Sequence, residues 1–149
     1  MLDPIDFKGS ASDIQTKACG SGWYVKLGIL ENYGKIKLTE ACKRHDYRYE
    51  FGINDKDKLL ADLYFFVDLL ELLIPNLNVL DLHLAITKLM IKLDSVYTQY
   101  STDLAWKEFY KVVNQKIKIV KLNWFRKYFR LNIAMKYFMA VIKFGDKYY

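Results

Sequence analysis

Residues 41–49 read Ala-Cys-Lys-Arg-His-Asp-Tyr-Arg-Tyr, and this stretch decides how the chain folds around a site. Within it, four reactive or polar side chains stand at positions i, i+3, i+4 and i+7, namely Cys42, His45, Asp46 and Tyr49. On a helix, that spacing puts all four side chains on one face. The stretch therefore predicts a helix that presents a histidine and a carboxylate together.

Helix signals bound this segment and the next one. Thr39 is a suitable N-cap, and Gly52 suits the C-terminal cap of a helix over about 40–51. Asn54 caps a second helix, which continues to about Ile74. Because only three residues join the two helices, we predict that they pack antiparallel.

The second helix offers acidic partners for His45. Asp62 lies about two turns into it, where the antiparallel arrangement lets it face the histidine. Asp55 and Asp57 compete for this role, but they occupy the polar first turn, where acids suit the helix dipole. Asp62 has apolar neighbours on the same helix, so we predict that it is the buried carboxylate.

This arrangement predicts hydrolytic chemistry. One imidazole nitrogen of His45 would bond Asp62, which fixes the tautomer, and the other would take a proton from water. The logic is that of a hydrolytic triad with water in place of serine. Asp46 points about 100° away from His45 around the helix, towards a Cys-Gly-Ser-Gly loop at residues 19–22. Calcium takes oxygen ligands, which a carboxylate, loop carbonyls and waters supply.

These motifs resemble the secreted phospholipase A2 superfamily. The family's active-site helix carries a cysteine, two spacer residues, His-Asp and then a tyrosine, as Cys42–Tyr49 does here. Its calcium loop runs Cys-Gly-x-Gly, as at residues 19–22, and its orienting aspartate on the next helix matches Asp62. The resemblance covers about residues 15–70. Beyond it, the layout, including residues 134–145, is similar to small phage- and prophage-encoded members.

The resemblance implies a role for each matched residue. Calcium would be held by both carboxylate oxygens of Asp46 and by loop carbonyls, and a loop amide would donate to the oxyanion. Tyr49 would steady Asp62 through its hydroxyl. A disulfide between Cys19 and Cys42 would pin the loop against the catalytic helix, with two reduced thiols as the alternative. The implied carbonyl ligands are those of Ala18, Gly20 and Gly22, and the implied amide is that of Gly20.

Composition and charge bound the class of protein. The chain has 149 residues and is 52% hydrophobic, which predicts one domain with a sizeable core. Residues 116–149 hold nine Lys or Arg and one acid, a net charge of +8, whereas residues 1–115 carry about −2. Such an asymmetry indicates an anionic partner, either an anionic phospholipid membrane or nucleic acid. A solvated helical face explains it equally well.

The aromatic residues of the basic tail fit a membrane surface. Four aromatics alternate with three cations there, namely Trp124, Phe125, Tyr128 and Phe129 with Arg126, Lys127 and Arg130. This pattern is typical of an interfacial helix, and equally of a helix that packs its aromatics inward. No stretch is long and apolar enough to predict a membrane span. The N-terminus lacks the regions of a signal peptide, so we expect a removed signal or a signal-independent route, or virion association.

The remaining segments predict an all-α protein: two antiparallel active-site helices linked by a disulfide to a calcium-binding loop, plus C-terminal helices. His83 and the Trp106, Phe109, Tyr110 stripe are interpreted as structural. We expect an irregular arm over 1–17 and a loop with little regular structure over 23–37. Helices are predicted over about 78–98, 102–115 and 123–144, and Ser101 caps the second of these three. The segment 116–122 alternates like a strand but can continue a helix.

The sequence thus predicts a single phospholipase A2-like domain over 1–149, with a catalytic segment over about 15–74 and a basic helical part over about 116–149. Its predicted function is calcium-dependent hydrolysis of the sn-2 ester of glycerophospholipids, with His45 as general base. One alternative is a non-catalytic membrane- or virion-associated protein that keeps the fold. Another is a basic helical nucleic-acid-binding protein, which is less expected because a pure binder has no use for the site carboxylates.

Overall fold

The structure, a computed structural model, describes residues 32–33, 36–52, 54–96 and 102–145. In this part of the chain five helices follow two short strands, which confirms the all-α class in its coarse form. The elements are β1 (Asn32–Tyr33), β2 (Ile36–Lys37), α1 (Thr39–Phe51), α2 (Asp55–Leu73), α3 (Val79–Val96), α4 (Thr102–Lys118) and α5 (Trp124–Gly145).

A small β-ribbon precedes the helices. Asn32 pairs with Lys37 and Tyr33 with Ile36, in antiparallel register. In the segment 23–37, predicted as a loop with little regular structure, these four residues form the regular structure that the described residues show. Two residues separate the strands, a spacing that lets the backbone groups of a hairpin pair directly.

The entry into α1 is fixed by burial and not by a cap. Leu38 occupies the N-cap position without a side-chain hydrogen bond, and Thr39 is already helical. The prediction of Thr39 as the N-cap is therefore wrong. Leu38 is fully buried in the core, and burying a leucine contributes about 2 kcal/mol, against about 1 kcal/mol for a good cap. The burial of Leu38 therefore stabilises the entry into the helix without a capping side chain.

The connection from α1 to α2 follows the sequence signals. Gly52 is the C-cap of α1, with an extended backbone, and Asn54 caps α2 by accepting from the amide of Asp57 at 3.0 Å. Both cap predictions are confirmed. The short connection and the contacts between α1 and α2 make these helices antiparallel neighbours.

Helix α2 is the centre of the fold. It contacts α1, α3, α4 and α5, and every residue from Leu59 to Leu70 is buried. A helix that is buried all round must be covered on each side. Aromatic rings supply much of this cover: Phe66 contacts Trp106, Phe109 and Phe138, with centroids 4.8, 6.4 and 5.2 Å away.

Helix α4 runs further than its sequence pattern indicates. The segment 116–122 does not form a strand within the described chain: α4 continues to Lys118, and a turn follows. Val113 and Ile117 are fully buried at helical spacing, and Val120 is buried in the turn. The core contacts of these side chains select the helix over the alternating interpretation.

A lysine of the basic tail closes the end of α4. The Lys127 ammonium is buried and donates to the backbone carbonyls of Lys118 and Val120, at 3.1 and 3.5 Å. Carbonyls at a helix C-terminus lack intrahelical partners and carry partial negative charge. Lys127 therefore acts as a capping cation.

This contact predicts a stability loss. Lys127→Met keeps the length of the side chain but removes its donors, so the free energy of unfolding should fall by about 1–2 kcal/mol. Arg126→Met is the matched control, because Arg126 is exposed. Urea denaturation of both variants checks the difference. Equal stability of the two variants would contradict a capping role for Lys127.

Candidate active site

His45 lies at the buried interface of α1 with α2. Its side chain is 4% exposed, and its ring packs against the rings of Tyr49 and Phe65, with centroids 4.1 and 4.8 Å away. The same helix face carries Cys42, which is also buried. The i, i+3, i+7 spacing read from the sequence therefore faces the core.

Asp62 lies opposite the histidine, on α2. It is fully buried, and its Oδ1 lies 2.9 Å from His45 Nε2. The hydroxyl of Tyr49 donates to the same oxygen. The structure thus brings together the three side chains that the sequence placed on facing helices. Asp57, also buried, is at the start of α2, where its backbone amide donates to the Asn54 cap instead.

In the His45–Asp62 pair, each side chain has one polar atom without a hydrogen bond to the described part of the chain. Nδ1 of His45 makes no hydrogen bond to the described part of the chain. Oδ2 of Asp62 is buried without a hydrogen-bond partner there. Because Asp62 binds Nε2, Nδ1 is the nitrogen that remains able to bind or release a proton.

Asp46 is a half-buried carboxylate next to the histidine. No hydrogen bond or ion pair joins it to the described chain. Burial raises the pKa of the Asp46 carboxyl to about 6, and the charge of His45 opposes part of this rise. A desolvated carboxylate without a partner is destabilising, so Asp46 is suited to receive a cation.

The predicted loop lies outside the described residues. This applies to Ala18, Cys19, Gly20 and Gly22, so their assignment as calcium ligands, oxyanion donor and disulfide partner stays a prediction. Within the described ranges no three His, Cys, Asp or Glu side chains cluster as a metal site. Asp46 is therefore the one predicted ligand whose surroundings the structure gives.

Cys42 is buried one helical turn before His45. Its predicted disulfide partner lies outside the described residues. The chain's other cysteine is Cys19. The pairing of these two residues is a prediction that stands on the sequence.

A second polar contact between α1 and α2 was not predicted. Arg48 is fully buried and donates to Asp68 Oδ2 at 2.9 Å, while Arg44 reaches Asp68 Oδ1 at 3.4 Å. The Arg48 guanidinium also lies over the Tyr64 ring, 5.2 Å from its centroid. The signal available in the sequence was Asp68 itself, an acid within the apolar run of α2, opposite two arginines at i, i+4.

His83 and the stripe of Trp106, Phe109 and Tyr110 have the structural roles that the sequence predicted. Tyr64 meets His83 edge-on at 5.7 Å, as expected of a structural histidine. Phe109 is buried, and Trp106 and Tyr110 pack against the core. Neither group contributes to the cluster around His45 in the described contacts.

Comparison with models of protein families, with curated proteins and with solved structures found no relative. The assignment of a function therefore rests on the site.

The pKa of Asp46 predicts a pH-dependent stability difference. The folded carboxyl binds a proton up to about pH 6, but the unfolded one only up to about pH 4. The folded state therefore holds more protons in this window, so the unfolding free energy of the calcium-free protein falls as pH rises through it. Asp46→Asn removes the effect.

We expect Asp46→Asn and the parent to be about equally stable at pH 4, and the variant to be more stable by roughly 2 kcal/mol above pH 6. Urea denaturation in chelator at several pH values measures this difference. Asp55→Asn is the control, because Asp55 is exposed at the first turn of α2. A parent-to-variant difference that is constant across pH 4–7 would contradict the assignment.

Proposed function

We propose that this chain is a calcium-dependent hydrolase of phospholipase A2 type, which cleaves the sn-2 ester of glycerophospholipids. The observation that supports it most is the buried His45–Asp62–Tyr49 cluster. A core that needed only packing would be served by apolar side chains without the desolvation that a buried carboxylate costs. The cluster instead orients one imidazole and leaves its second nitrogen available.

In the proposed reaction, Asp62 accepts the Nε2–H of His45 and holds the ring in the tautomer whose Nδ1 lone pair is free. Nδ1 takes a proton from a water molecule while the water oxygen adds to the ester carbonyl carbon. The ester C–O bond then breaks, and the imidazolium returns its proton to the departing alkoxide. The products are a fatty acid and a lysophospholipid.

Asp62 has a second task in this scheme. The imidazolium that forms on His45 is a cation in a buried site, and the adjacent carboxylate stabilises it. Tyr49 donates to the same Asp62 oxygen and so restrains the carboxylate's orientation. Both are positioning groups, whereas His45 is the group that meets the water.

A calcium ion fits the environment of Asp46. The carboxylate is half-buried and unpaired in the described chain, so a cation would offset its desolvation. When bound, the ion would polarise the ester carbonyl. The carbonyls of Ala18, Gly20 and Gly22 would complete the ligand set, and the Gly20 amide would donate to the oxyanion. These four contributions rest on the resemblance.

The proposed partner is an anionic phospholipid surface, and the outward face of α5 is the candidate contact. Trp124 and Phe125 are 70% and 68% exposed, and Phe129 and Met139 are also exposed on this helix. Exposed Arg126 and Lys136 accompany them. Large exposed apolar groups beside cations are characteristic of interfacial helices. No helix in the described ranges is both long and apolar enough to cross a bilayer.

Fewer cations are available to contact lipid on this surface than the sequence indicates. Lys127 caps α4, and Arg130 donates to the carbonyl of Leu73 at the end of α2, at 2.8 Å. Two of the three cations expected to contact lipid are thus engaged in helix capping. Because these two cations contact backbone carbonyls, fewer cations of the tail face a partner. This weakens the nucleic-acid alternative, which depended on the charge of the tail alone.

The function is tested by hydrolysis of phospholipid vesicles with and without calcium. His45→Gln should lower the rate by at least ~10²-fold, because an amide cannot accept the proton of water. His83→Gln is the matched control, since His83 is the chain's other histidine and lies on α3. Circular dichroism confirms that both variants remain folded. If the parent releases no fatty acid in millimolar calcium, the non-catalytic alternative holds.

Membrane docking is tested separately, on the His45→Gln background, by flotation with vesicles that contain anionic lipid. Replacing Trp124 and Phe125 by serine should weaken binding by more than tenfold, since each side chain contributes about 1.5–3 kcal/mol when buried. The serine variant of Leu80, which is exposed on α3, is the matched control. Binding should also fade with salt. Unchanged flotation of the double variant would exclude this face.

A further inference from the structure

A groove of about 370 Å³ lies between α3 and α4, away from the residues of the candidate active site. Its volume falls within the range of pockets that hold small ligands. Ala85, Leu89, Phe109 and Val112 line its apolar floor, and Leu84 stands at its edge. Leu84 is 58% exposed, so an apolar ligand in the groove would remove it from water.

Two ion pairs bound the groove. Lys116 reaches Asp81 at 3.1 Å, and Lys92 reaches Glu108 at 2.8 Å. Each pair joins α3 to α4, and the pairing shows that these helices run antiparallel. Asp81 and Lys92 are eleven residues apart on α3, so at 1.5 Å per residue the pairs stand about 16 Å apart.

Charge is unequal at the two ends. The Asp81–Lys116 end holds one acid and one base. At the other end, Lys88 stands one turn before Lys92 and lines the groove, and no acid pairs with it in the described chain. Among the residues that line the groove, this end therefore carries two ammonium groups and one carboxylate, that of Glu108. This end is the place where an anion would be stabilised.

We propose that this groove binds a single-chain anionic amphiphile, of which a fatty acid is the simplest, with its chain on the α3–α4 floor and its carboxylate at Lys88. The apolar floor and the single unpaired cation among the groove's described residues each match one part of such a ligand. Binding does not depend on hydrolysis at His45. Where the proposed function holds, the ligand belongs to the class of its product.

Displacement of a fluorescent fatty acid by dodecanoate, below its critical micelle concentration, tests the proposal. We expect one site per chain. Ala85→Phe, which fills the floor, should abolish binding. Thr87→Phe places the same side chain at an exposed position on α3 and should bind like the parent. His45→Gln should also bind like the parent, which separates this groove from the active site.

The role of Lys88 is tested with dodecanol, an uncharged ligand of the same length. The parent should prefer dodecanoate by about two- to fivefold, as expected for a partly exposed charge pair. Lys88→Gln should lose this preference, whereas Lys111→Gln, an exposed lysine of α4 outside the groove, should keep it.

Three outcomes would overturn the proposal. The first is binding that appears only above the micellar concentration. The second is equal binding by the parent and Ala85→Phe. The third is a dimer of the ligand-free protein that Ala85→Phe dissociates, seen by sedimentation, which would assign the groove to a second copy of the chain.

Discussion

The polar contacts buried between α1 and α2 are the constraint on which the rest of the structure depends. Asp62 binds His45, and six residues later Asp68 binds Arg48. If α1 rotated so that its contact face turned away from α2, Arg48 and both acids would lose these contacts in a dry interface. A buried charge without its partner costs about 3–5 kcal/mol, so the two links fix the register of the helices. The orientation of the histidine follows from this register.

Such an interface needs cover, and this explains why so much of the chain lies outside the candidate site. Helix α2 is buried all round, so α1 alone cannot shield its acids. Helices α3, α4 and α5 contact its other sides, and the rings of Trp106 and Phe138 stack at 4.3 Å in that layer. The low dielectric that results strengthens the His45–Asp62 contact. In the described part of the chain, the C-terminal helices therefore cover the His45–Asp62 pair without adding a side chain to it.

In the basic tail, the net charge in the sequence does not equal the charge that the folded chain presents to solvent. Lys127 and Arg130 are positive in any count, yet both donate to backbone carbonyls at helix ends. Their charge completes the fold at the ends of α4 and α2. Among the described side chains of α5, Arg126 and Lys136 are the cations that remain exposed to solvent. The exposed aromatic side chains are the more distinctive feature of that face. A surface contact by α5 would therefore be led by apolar insertion, with electrostatics as the smaller contribution.

The sequence by itself determined the features that are local. Helical spacing placed His45 and Tyr49 on one face, Asn54 marked the start of α2, and the short connection brought Asp62 opposite the histidine. These signals succeed because hydrogen bonds and side-chain spacing within one or two turns suffice to set them.

Only the tertiary structure decided the features that depend on distant partners. Fully buried Leu38 occupies the N-cap position that the sequence assigned to Thr39, and fully buried Ile117 lies in the helical extension of α4. The burial of Arg48 with Asp68, the raised pKa of Asp46 and the groove under Lys88 likewise arise between helices far apart in the chain. Desolvation depends on everything that surrounds a group, so a pattern within one segment does not contain it.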